Sequence, residues 1–173
     1  MTEMNKIELQ VRARKQLKNY TCGPASLRSI FYHYGFTYSE QELVLEGEIE
    51  EDGTDFKTMR KLAHTFKFTF YSRENGSVDE LKKWLAKGIP ILVCYQDYGK
   101  PNGHNGHYAI LTGVSPDYVV LSDPSNYWEG DGLKFASSKK MAIDNFLKRW
   151  FEVENGVKVK RWFAIVQPRR KAK

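Results

Sequence analysis

The chain has 173 residues, 41% of them apolar and 14% aromatic, enough for one packed domain without disulfide support. Its longest apolar runs, Ile89–Cys94 and Tyr108–Leu111, fall well short of the roughly 18 residues of a membrane-spanning helix, and no apolar stretch of signal-peptide length opens the N-terminus. The net charge of +6 is uneven: Lys134–Lys173 holds twelve Lys/Arg against three Asp/Glu, leaving fifteen basic and eighteen acidic residues elsewhere. These features read as a cytoplasmic domain whose two cysteines, Cys22 and Cys94, are free thiols in a reducing compartment. The basic C-terminal third reads as a solvated face with a tail at Arg169–Lys173. No fold signature for nucleic acid accompanies it.

In chain order, residues 1–15 form a charged arm, with a short strand expected at Ile7–Val11. A helix is predicted over Cys22–Tyr34, with Pro24 in its first turn and Gly35 past its end. Ala25, Leu27, Ile30, Phe31 and Tyr34 are its apolar stripe. Ser39 and Glu42 make a capping-box pattern for a second helix. An acidic segment, Glu46–Asp55, reads as a solvated loop, and Phe56–Phe66 as a third helix. Phe68–Tyr71 alternates like a strand, and Ser77 with Glu80 offers another capping box for a helix through Leu85 that Gly88 stops.

The second half changes character. Ile89–Tyr95, His107–Val114, Tyr118–Leu121 and Trp162–Val166 read as strands, with Ser115-Pro116-Asp117 linking the middle two. One helix is expected between them, over Lys139–Phe151. Helices first and antiparallel strands after give an α+β single domain over 1–173, an N-terminal helical half packed on a C-terminal antiparallel sheet.

The chemistry starts from Cys22, placed where a helix begins. Free N–H groups and the partial positive charge of a helix N-terminus favour a thiolate, the nucleophilic form. Such a thiolate needs a base, and the base needs an orienting group. His33 and His64 lie inside predicted helices, and His104 lies in a glycine-rich loop. His107 opens a strand, which fixes its side-chain direction, and is the preferred base. Asp123 closes the next strand. If the two strands form a hairpin, their outer ends meet and Asp123 can hold the His107 ring. Gln16, six residues before Cys22, could join the Cys22 N–H in stabilising an oxyanion.

The pieces match a pattern. Gln16, the run Lys18-Asn19-Tyr20-Thr21-Cys22-Gly23-Pro24-Ala25-Ser26-Leu27, then Gly106-His107-Tyr108 and Asp123-Pro124, resemble the bacteriocin-processing cysteine peptidases. These are papain-like domains that cut after a double glycine in peptide leaders, usually at the N-terminus of ABC transporters. The resemblance extends to the closing strand Ala164–Pro168. It implies a papain-like fold, Cys22 as nucleophile, His107 as base, Asp123 as orienter and Gln16 as oxyanion donor. It implies no metal or organic cofactor, and a peptide or protein substrate. The chain lacks a membrane span and a phosphate-binding Gly-x-x-x-x-Gly-Lys-Ser/Thr loop, so it reads as either a stand-alone peptidase or an isolated domain, with an ABC transporter encoded separately as one partner it could serve.

Other readings stay open beside this one. Cys94, His104 and His107 can be imagined as metal ligands, but no second close Cys/His pair completes a zinc site. Papain-like sites also carry out acyl transfer, and some folds of this kind persist as inactive peptide-binding modules. Cys94, at the end of an apolar strand, reads as a core residue.

Overall fold

The structure is a computed structural model that describes residues 6–98, 105–130 and 133–169. His104 and residues 170–173 of the basic tail lie outside the described residues.

Three helices lead: α1 (Cys22–His33), α2 (Glu40–Gly47) and α3 (Phe56–Thr65). The helix α1 carries the expected stripe, with Ala25, Leu27, Ile30 and Phe31 fully buried, and the chain leaves it through Gly35 at φ +85°. Ser39 caps α2 in a complete capping box with Glu42. Asp55 caps α3 by accepting from the Thr58 N–H. The strand β2 (Phe68–Arg73) follows, then α4 (Val78–Leu85). Ser77 accepts the Glu80 N–H, but the Glu80 carboxylate binds Arg73 (Nη1 to Oε1 3.1 Å) instead of closing the box.

All pairing in the main sheet is antiparallel. Its order is β2, β9 (Phe163–Pro168), β3 (Ile91–Gln96), β4 (Gly106–Val114), β5 (Tyr118–Gly130) and β6 (Leu133–Ala142), with the short β1 (Ile7–Glu8) added beside β4. A last helix, α5 (Ile143–Arg149), precedes a separate hairpin of β7 (Phe151–Glu154) and β8 (Val157–Lys160). The mixed, antiparallel α+β class expected from the sequence is the one observed. The helices cover both faces of the sheet. On one side Leu27, Ile30 and Phe31 of α1 pack with Leu92, Ile110 and Ala164. On the other, Leu81 and Leu85 of α4 and Phe146 of α5 pack with Ile91, Val93 and Leu111.

Two expectations change at the C-terminal end. The helix foreseen over Lys139–Phe151 is confined to Ile143–Arg149, because Lys139–Ala142 belong to β6 and Phe151 starts β7. Met141 and Phe146 do enter one core, but from a strand and a helix. The strand foreseen at Tyr118–Leu121 runs on to Gly130.

A β-bulge sets the register that matters most. Val114 pairs with Val119 and Gly113 with Val120, but Leu111 pairs with Leu121 and Ile110 with Ser122, so Thr112 is the extra residue. Counted from the hairpin turn without the bulge, Asp123 would stand opposite Ile110 and share its face, away from His107. Beyond the bulge the pairing advances by one residue. Asp123 then stands opposite Ala109 and shares the face of His107, because one residue of slip exchanges the two sides of a strand. At Gly113, beside the bulge, β1 passes so near that an added Cβ would lie 2.9 Å from the Ile7 carbonyl oxygen.

Candidate active site

Cys22 is the first residue of α1 and only 8% exposed. Its helix has Thr21 at the N-cap without a side-chain capping bond, since that hydroxyl is engaged with Glu40 and Lys18. The sulfur faces a cleft of about 400 Å³ whose walls include Tyr20, Gln96, Gly106 and Tyr108. The described walls also carry Glu51, Asp52, Asp55, Glu152 and Glu154, with no lysine or arginine. The acidic segment expected as a solvated loop is thus exposed and also a wall of this cleft. Glu152 and Glu154 come from β7, and Glu152 lies directly over Gly106, where a Cβ would meet its carboxylate.

His107 is the second residue of β4 and fully buried. Its Nε2 is 2.6 Å from Asp123 Oδ1, and its ring also hydrogen-bonds the Cys22 side chain, for which Nδ1 is the nitrogen left. Burial alone would lower the imidazole pKa. The hydrogen bonds to Asp123 and Cys22, with their charges, outweigh it and push the value up to about 9 from an ordinary 6.5.

Asp123 is fully buried and surrounded by donors. Oδ1 accepts from the Ser125 N–H at 2.9 Å and the Ser125 hydroxyl at 2.7 Å as well as from His107, and Oδ2 accepts from the Tyr95 hydroxyl at 2.9 Å. Burial would raise its pKa, but the His107 bond and charge, then Ser125, hold the carboxyl below its usual range, so it is ionised. Tyr95 pairs with His107 across β3 and β4, its ring edge-on to the imidazole at 5.6 Å. Burial and the nearby Asp123 raise the phenol pKa, which keeps the O–H a donor.

Behind this pair, Lys139 Nζ sits 3.6 Å from Asp97 Oδ1 and 3.9 Å from Asp123 Oδ2. Asp97, His107 and Asp123 could offer three metal ligands within 4.8 Å of one another, but the Lys139 ammonium already places a positive charge beside both carboxylates. The imagined metal set of Cys94 with His107 is not assembled. Cys94 pairs with Tyr108 and so points to the opposite face from His107. Cys94 is buried as expected and also reaches the cleft wall, where its thiol donates to Glu152 Oε2 at 3.2 Å. Burial, then the Glu152 charge, raises its pKa and keeps it protonated. His33 is half-buried in the last turn of α1 and His64 is exposed on α3.

Gln16 is 8% exposed and is not among the residues that wall the cavity. Its backbone N–H donates to the Pro124 carbonyl at 2.9 Å, which ties it to the segment just after Asp123. Its Nε2 donates to the Lys18 carbonyl at 2.7 Å, leaving the second N–H of that amide for another acceptor. The structure therefore joins Cys22, His107 and Asp123 in one hydrogen-bonded series and sets Gln16 alongside. Tyr95, Ser125 and Lys139 were not foreseen from the sequence; Tyr95 and Lys139 reach Asp123 through strand register, whereas Ser125, two residues after it, makes a local contact.

Residues 8–156 match the model of the Peptidase_C39 like family. Among solved structures, the peptidase domain of Streptococcus ComA, a bifunctional ABC transporter of a quorum-sensing pathway, is similar at a TM-score of 0.67 and 21% identity, covering 92% of this chain and 100% of that one. A double-glycine-motif protease from an AMS/PCAT transporter, solved with its leader peptide, gives 0.66 at 17% identity, covering 97% of this chain and 96% of that one. A C39-like peptidase of Bacillus anthracis gives 0.66 at 17% identity, covering 98% and 100%. A search of the curated proteins returns no match. No helix among the described residues is long and apolar enough to cross a membrane. The family match runs from β1 to the turn of the last hairpin, and the chain accordingly belongs to the Peptidase_C39 like family, with the papain-like fold of the C39 peptidase domains it resembles.

Proposed function

We propose that the chain is a cysteine peptidase in which Cys22 is the nucleophile, His107 its base and acid, Asp123 the orienter and Gln16 an oxyanion donor. The observation that carries this reading is the buried series Cys22–His107–Asp123, with its thiol end at the cleft. An imidazole held at about 9 is protonated at neutral pH and pairs with a Cys22 thiolate. The thiolate attacks a peptide carbonyl, and the C–S bond forms as the carbonyl π electrons move to oxygen. The Cys22 N–H, at a helix N-terminus, and the free N–H of Gln16 Nε2 receive that oxyanion. His107 gives its proton to the departing amine, then takes one from the water that releases the acyl group. These steps call on no metal or organic cofactor.

The substrate is a peptide with small residues at the scissile bond. Glu152 covers Gly106 beside His107 and leaves little room for a bulky side chain there. The carboxylate-lined walls disfavour a substrate segment that is itself acidic. The ComA and PCAT relatives belong to transporters, and the latter was solved with a leader peptide. A double-glycine leader is the substrate that fits these points, and an ABC transporter the partner.

Purified protein incubated with synthetic double-glycine peptides should yield two fragments by mass spectrometry, with none from Cys22→Ala. Product acids mark hydrolysis, while new amides formed with added amines would mark acyl transfer. No cleavage across a peptide library, with Cys22 no more reactive than an ordinary thiol, would leave a peptide-binding module. In an active enzyme, Gln16→Ala should lower kcat by about 10²–10³-fold, the usual cost of one oxyanion donor.

A further inference from the structure

The segment from Lys15 to Thr21 has no helix or strand of its own, yet an ion pair of a partly buried arginine and a buried glutamate from the next two helices grips it at several points. Glu40, the first residue of α2, is fully buried. Its Oε1 accepts from the Leu17 N–H at 2.8 Å and from the Thr21 hydroxyl at 2.5 Å. Arg28 of α1 places Nη2 3.5 Å from Glu40 Oε2, and the same nitrogen donates to the Lys15 carbonyl at 3.1 Å. The Thr21 oxygen in turn accepts the Lys18 N–H at 3.1 Å.

These contacts fall on either side of the two groups that matter. Lys15 and Leu17 flank Gln16, and Thr21 immediately precedes Cys22. One carboxylate thus holds the backbone N–H beside the amide and the side-chain hydroxyl of the residue before the nucleophile. A buried ion pair is seldom retained for stability, since apolar residues of similar volume serve about as well. Here each charged group also binds backbone that a hydrocarbon could not bind.

On the peptidase reading above, we propose that Glu40, held by Arg28, is a positioning residue that fixes Gln16 and the Cys22 N–H relative to each other as one oxyanion pocket. It acts through Leu17 and Thr21, which it binds directly. A displacement of about 1 Å at a catalytic group can cost about 10²-fold in rate.

The test separates the oxyanion pocket from the thiolate. Alkylation of Cys22 by iodoacetamide needs the thiolate but no oxyanion donor, whereas peptide cleavage needs both. Glu40→Gln keeps the volume and loses the charge. Thr21→Val keeps the shape, loses the hydroxyl link, and serves if Glu40→Gln folds poorly. Each should lower kcat by about 10–100-fold, with KM and the pH profile of Cys22 alkylation within about twofold of wild type. Thr21→Ser, which restores the hydroxyl, should recover most of kcat. Equal falls in kcat and alkylation would reduce Glu40 to a structural brace and overturn the proposal, as would an unchanged kcat. A wild type that cleaves no peptide would instead remove the peptidase reading, and this inference with it.

Discussion

Alanine at position 107 should lower the turnover of a cleaved peptide by about 10⁴–10⁶-fold, the scale seen when a nucleophile loses its base. The same substitution should change the pH dependence of Cys22 alkylation. With His107 in place, its imidazolium hydrogen-bonds the sulfur and labelling should remain fast at about pH 6, where an ordinary thiol near 8.5 is almost all protonated. Without it, labelling should follow the ordinary thiol. The wild-type rate of cleavage should also fall as pH rises through about 9. The sign follows from the role: protonated His107 gives its proton to the leaving amine, and that proton is absent above its pKa. Alkylation indifferent to His107→Ala would detach the histidine from the thiol and favour a binding module.

Asn at position 123 should cost about 10²–10⁴-fold in kcat while leaving the fold intact. The carboxylate receives His107, Tyr95 and both donors of Ser125, so every neighbour is a donor. An amide fits the volume but brings a donor of its own. With its oxygen toward His107 and Ser125, its NH₂ meets the Tyr95 hydroxyl, which can rotate to accept, so folding survives. The charge does not survive, and the charge is part of what lifts the imidazole against its burial. The alkaline limb of the activity profile should therefore move down from about 9 toward 6.5. A variant with wild-type kcat and an unmoved limb would remove Asp123 from the site. Thermal melts of both proteins would show whether the fold is retained.

Elements fixed by local chemistry were the legible ones. The stripe and flanking Pro24 and Gly35 of α1, the Ser39 box and the Gly88 stop all lie within a few residues of what they determine. The β7–β8 hairpin was equally local and still missed. Asn155-Gly156, both at positive φ between alternating residues, is the usual signature of a tight hairpin turn. The helical spacing of Met141, Phe146, Leu147 and Trp150 obscured it by suggesting one helix as far as Phe151.

The site shows the other limit. A plain hairpin brings the ends carrying His107 and Asp123 together, and that much follows from the sequence. Which face each side chain takes depends on the extra residue at Thr112; Gly113 within the strand marks a bulge or a close backbone approach, but not which residue is the extra one. Glu40 is an acidic residue in a helix's first turn, a favourable place for any carboxylate, so its position alone does not single it out. Only the fold brings Leu17 and Thr21 to it.

The two halves of the proposed site are also separated in time. Cys22 leaves the ribosome with α1, whereas His107 and Asp123 lie about a hundred residues further on. At about 5–20 residues per second, the thiol waits about 5–20 s for its base to be made. During that interval the thiol has neither the imidazole nor the carboxylate of the proposed series beside it. On the peptidase reading, the site is therefore complete only once β4 and β5 have paired in the bulged register.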